Sequence, residues 1–124
     1  MVTYISLTLL LYLIQLILPN ALKAGTGYAK RAAKALKNLS ESLAVFLALA
    51  ILSIVLSVDE NTMLALYWLI ARLVFAAIYI LGLGLDNKSE ESQGPDKQPL
   101  RSFVWAGSIV ILIAMTLNLS LIHI

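Results

Sequence analysis

Lys30 to Glu41 reads KRAAKALKNLSE, and Ser42 to Val58 continues it as SLAVFLALAILSIVLSV without a single charge. Alanine and leucine make the first part a strong helix former. Its polar residues are ordered: Arg31, Lys34, Asn38 and Glu41 stand at offsets 0, 3, 7 and 10. At about 100° per residue these fall within a wedge of roughly 80° on one helix face. A helix that begins with a polar face and then runs into an apolar stretch of spanning length reads as a membrane helix with a polar cytoplasmic end. Two readings of that end stand side by side. One is a basic collar that sets topology; the other is a face that holds an anionic, hydrogen-bonding ligand. A collar needs neither Asn38 nor Glu41.

The rest of the composition agrees with a membrane protein. Of the 124 residues, 60% are hydrophobic and only 13% charged, and the mean hydropathy is +0.90. A single domain of this size cannot hide that much apolar surface from water. The expected architecture is an all-α integral membrane four-helix bundle with helices over about 3–18, 28–58, 63–85 and 100–121 and a polar loop over 86–99. Thr3 to Leu18 reads as a retained spanning helix rather than a cleaved signal, with Pro19-Asn20 ending or bending it. Asn61 or Thr62 is the expected cap of the third helix. Three N-x-S sequons, at Asn38, Asn87 and Asn118, read as chance.

Charge orients the bundle. The first connection carries Lys23, Lys30, Arg31, Lys34 and Lys37, the second only Asp59 and Glu60, and the third Lys88, Lys97 and Arg101. The positive-inside rule places the first and third connections in the cytoplasm and both termini outside, in a bacterial inner membrane the periplasm. There is no cysteine and one histidine, His123, at the C-terminal end. Disulfides, a thiol nucleophile of the chain's own and zinc–thiolate sites are thereby excluded. No metal site and no nucleic-acid partner is expected.

Arg72 lies near the middle of the third apolar segment. A charge there costs about 2.5–3.5 kcal/mol even on the lenient insertion scale, so it must face protein or water and have a partner. An ion pair with Glu41, a neighbouring subunit or a ligand would each serve. Phe75 and Tyr79 share its face. Ala44, Ala48, Ala71, Ala76 and Ala77 offer small surfaces for close helix approach.

Three clusters, RAAKALKNLSE from Arg31, ARLVFAAIY from Ala71 and LRSFVW from Leu100, occur in that order on the second, third and fourth helices. Together they resemble the MAPEG family (membrane-associated proteins in eicosanoid and glutathione metabolism), and its short bacterial members most. The resemblance implies a homotrimer that binds glutathione as cosubstrate between subunits near the cytoplasmic face. Carried over position by position, it implies Arg31, Lys34, Asn38, Glu41, Arg72, Tyr79 and Ser102 as glutathione contacts and Arg101 as the catalytic residue that activates the thiol. It further implies membrane lipid and a lipophilic electrophile as partners, with transferase or peroxidase activity. Departures accompany it. Lys34 stands for an arginine, Phe75 for a histidine or tyrosine, Leu36 for a polar residue and Trp105 for a tyrosine. Lys23 is the nearest candidate for a first-helix arginine. A non-catalytic member that binds lipid or a protein partner is the alternative.

Overall fold

The computed structural model describes residues 1–22, 27–81 and 99–122, with side chains at 1–22, 27–81 and 102–121. Lys23, most of the 86–99 loop and His123 lie outside the described residues, as do the last residues expected of the third helix. Four helices are described: α1 Val2–Ala21, α2 Gly27–Val55, α3 Glu60–Leu81 and α4 Pro99–Ile122. Each is long and apolar enough to cross a membrane.

The distribution of side chains is that of a protein solvated by lipid. α1 buries only Thr8, Leu11 and Gln15, while Leu10, Leu13, Ile14 and Ile17 face outward. Lipid is as apolar as leucine, so nothing drives leucine inward; close packing and hydrogen bonds decide what lies inside. The buried hydroxyls satisfy themselves within their own helices: Thr8 donates to the Tyr4 carbonyl, Ser53 to Leu49 and Ser108 to Trp105, at 2.7–2.8 Å.

α2 and α3 are the spine. α1 packs chiefly on α2, α4 chiefly on α3, and α1 and α4 do not touch among the described residues. At the centre Phe46 of α2 stacks on Trp68 of α3, ring centroids 4.0 Å apart and nearly coplanar. Leu49, Leu69, Leu112 and Met115 surround the pair. Ala32, Ala35, Ala50 and Ala65 are fully buried and let the backbones approach, whereas Ala44, Ala48 and Ala77 face away from the protomer.

Four local expectations are corrected. Pro19 does not end α1, which runs on to Ala21. In the last turn a proline forfeits only one backbone bond, and the Leu22 N–H still reaches the Leu18 carbonyl at 3.0 Å. α2 stops at Val55 rather than Val58. Ser57 adopts a left-handed conformation, φ 58°. Its N–H donates to the Ile54 carbonyl, and the Val58 N–H donates to Ser53. That is a Schellman closure with serine where glycine is usual. α3 therefore begins at Glu60, earlier than Met63, with an acidic first turn that suits the helix dipole.

Asn61 is not a cap either. Fully buried, it donates through Nδ2 to Ser53 Oγ at 2.8 Å and the Met115 carbonyl at 3.2 Å, and its Oδ1 accepts from Asn118 Nδ2 at 2.9 Å. One amide thus ties α2, α3 and α4 together. A cleft at this end is lined by Met1 and Val2 together with Ser57, Asp59 and Thr62. The start of the chain, the α2–α3 turn and the far end of α4 therefore share one end of the bundle.

Candidate functional site

At the opposite end, the first turns of α2 meet the last turns of α3 and the start of α4. Arg31 marks the meeting. Its Nε donates to the Ile80 carbonyl at 3.1 Å, in the last described turn of α3. Its other face lies over the Tyr28 ring, 5.0 Å from the centroid. Arg31 is buried and holds α2 against α3.

Two turns further on, Asn38 lines two cavities. The first, about 210 Å³, is walled by Asn38, Phe75, Tyr79, Ser102 and Trp105. The second, about 220 Å³, is walled by Lys34, Lys37, Asn38, Glu41 and Tyr79. They meet at Asn38 and Tyr79. Each is smaller than the roughly 300 Å³ at which small-molecule sites begin, and jointly they fall within that range. Three of the five walls of the first are aromatic; the second is charged, on an outer face of α2 where Lys34, Lys37 and Glu41 are exposed.

Arg72 lies beneath this surface, only 2% exposed. Its Nη2 donates to Asn38 Oδ1 at 2.7 Å, and the guanidinium carbon is 4.4 Å from the Phe75 ring centroid. Phe75 in turn meets Tyr79 edge to face at 5.5 Å. The stripe at offsets 0, 3 and 7 on α3 is as its spacing predicts. The suggested pairing of Arg72 with Glu41 does not occur within the protomer. Glu41 projects from the outer side of α2, and Asn38, a turn before it, takes Arg72 instead. Among the described residues the Nε and Nη1 of Arg72 have no hydrogen-bond partner.

Of the residues singled out in the sequence, Lys34, Asn38, Glu41, Tyr79 and Ser102 line the two cavities. Arg31 and Arg72 stand behind them. Arg101 lies in the first turn of α4, directly before Ser102; its side chain is outside those described. Lys37 was missed as a site residue. Measured from Arg31 it stands at about 240° on the helical wheel, outside the 80° wedge. The open face of α2 runs from Lys37 to Asn38, with Arg31 turned inward at its edge. Phe75, expected on the Arg72 face, and Trp105, expected only as a departure from the family pattern, are wall residues of the first cavity.

The sequence model of the MAPEG family matches residues 1–121, nearly the whole chain. No curated protein and no solved structure matches it.

Proposed function

This chain belongs to the MAPEG family, whose members include glutathione transferases and related membrane proteins, and on that premise we propose that it binds glutathione across the two cavities and joins it through its sulfur to lipophilic electrophiles. The observation that carries the reading is the convergence of Lys34, Asn38, Glu41, Tyr79 and Ser102, from three helices, on adjoining clefts. Lys34 and Lys37 suit the carboxylates of glutathione, and Glu41 its ammonium. The sulfur then lies toward Ser102 and the start of α4. There the permanent charge of Arg101 favours thiolate over thiol. The thiol proton leaves to solvent; the thiolate then forms a bond to an electrophilic carbon arriving from the bilayer as that carbon's bond to its leaving group breaks, the leaving group taking the electron pair and a proton from solvent.

The charged cleft opens on the outside of the protomer, beside the exposed small residues Ala44 and Ala48. This supports a homotrimer in which a neighbouring α2 covers the site, since close approach requires small residues at the contact. On this reading the basic end faces the cytoplasm and both termini the periplasm of a bacterial inner membrane, which the Lys and Arg of the first connection support.

One observation favours a non-catalytic member instead. Phe75, where a polar ring would contact the ligand, is buried against Arg72 and brings no hydrogen bond. Calorimetric titration with glutathione separates the readings. Binding by the parent, weakened roughly ten- to more than a hundredfold in Asn38→Ala and Glu41→Ala, supports the first; a charge-assisted hydrogen bond is worth about 1.5–3 kcal/mol. No heat with the parent overturns it.

A further inference from the structure

The environment of Arg72 bears on what the two cavities select where they meet at Asn38. A side-chain amide can present either its oxygen or its nitrogen to a neighbour. Here the neighbour decides, because a guanidinium has five N–H donors and no acceptor. At 2.7 Å from Nη2, the atom of Asn38 facing Arg72 is its oxygen. The Asn38 nitrogen is turned away, toward the cavities that Asn38 lines, and among the described residues no acceptor takes its hydrogens. Arg72 is buried, its Nε and Nη1 are unpartnered, and no carboxylate of the described residues pairs with it. Among the described residues its charge is answered only by the Asn38 oxygen and the face of Phe75.

We propose that Arg72 is a positioning and specificity-determining residue that locks Asn38 as a donor-only seat for an anionic oxygen, so that the cavity takes a carboxylate of the thiol peptide and refuses neutral or donor groups there. Arg72 does not line either cavity and acts through Asn38. The chain runs from the Arg72 Nη2–H to the Asn38 oxygen, then from the Asn38 Nδ2–H to the ligand carboxylate. Each bond polarises the next in a medium of low dielectric. A carboxylate gains from the otherwise uncompensated guanidinium behind the amide. An ester gains only the hydrogen bond. A ligand donor would face another donor, leaving both unpaired. The proposal rests on the glutathione reading for its ligand but not for the lock itself.

Two measurements separate the lock from that reading. The first is thermal unfolding of Asn38→Asp, in the parent and in Arg72→Met. An aspartate offers Arg72 a charged acceptor. Asn38→Asp is therefore expected to raise the melting temperature of the parent and to lower that of Arg72→Met. If Asn38→Asp changes both equally, the lock is wrong whatever the protein binds. The second is titration with glutathione and with its diethyl ester. The parent's preference for the free acid is expected to fall at least tenfold in Arg72→Met and to return to within threefold of the parent in Arg72→Lys, which keeps a charge and a donor. Asn38→Asp, folded but without donors, is expected to lose glutathione affinity at least a hundredfold. A merely structural Arg72 would weaken acid and ester alike, and that result, or parental glutathione affinity in Asn38→Asp, overturns the proposal. Should the unfolding coupling appear while the parent binds no glutathione, the glutathione reading fails and the lock is upheld.

Discussion

Asn61 offers the clearest quantitative test of the fold, because one side chain makes three hydrogen bonds to two other helices. Asn61→Ala removes the donations to Ser53 Oγ and the Met115 carbonyl and the bond accepted from Asn118. Hydrogen bonds between membrane helices average about 0.6 kcal/mol, with a ceiling near 1.7, because the unfolded chain in lipid finds other partners. Three of them give about 2 kcal/mol. The site is fully buried, so the vacated amide leaves a cavity worth about another 1 kcal/mol. The expected loss is therefore about 3 kcal/mol, measured by reversible unfolding in mixed micelles of mild and denaturing detergent. Asn118→Ala alone should cost less, since Asn118 is only half-buried and holds one of the three bonds. The double variant should show a coupling of about 0.6–1.7 kcal/mol. Glutathione affinity should stay at the parent value, as Asn61 lies at the other end of the bundle. A loss under about 0.5 kcal/mol, the range of an ordinary surface change, or strict additivity with Asn118→Ala, would refute the network as a tie between helices.

Three other outcomes are expected. Arg101→Gln should leave glutathione affinity within about tenfold but raise the bound thiol's pKa by about one unit or more, since the charge favours thiolate over neutral thiol; equal ultraviolet thiolate titrations in parent and variant would assign activation elsewhere. Ser57→Gly should stabilise the protein by about 0.5–1 kcal/mol, because a left-handed φ of 58° strains any residue with a Cβ, and an unchanged or lowered melting temperature would contradict that. A cysteine at Asp59 should react with an impermeant thiol reagent from the periplasmic side and one at Lys23 should not; the reverse pattern would invert the topology and remove the cytosolic site.

The sequence by itself determined the elements that depend on neighbouring residues. Four apolar stretches of spanning length must be helices, because lipid offers no partner for free backbone groups. The charge on the connections supplies an expected orientation, and the ordered clusters on α2, α3 and α4 pointed to the family that the match over residues 1–121 shows. The polar wedge of α2 and the Arg72–Phe75–Tyr79 stripe were likewise legible, since helical periodicity converts spacing into angle. Only the tertiary structure decided how those faces meet. Periodicity places Arg31 and Asn38 on one face but does not say which turns toward α3. Arg31 turns inward to donate to the Ile80 carbonyl of α3, and Lys37 is thereby left on the open face. Arg72 needed a partner on any reading. That the partner is Asn38 and not Glu41 follows from the separation and rotation of α2 against α3, set by the Phe46–Trp68 stack and the buried alanines. Asn61, a plausible cap by its position, became a tie between helices because the Schellman turn at Ser57 starts α3 early and carries the amide into the core. Contacts between helices depend on packing across distant parts of the chain, and no local pattern encodes them.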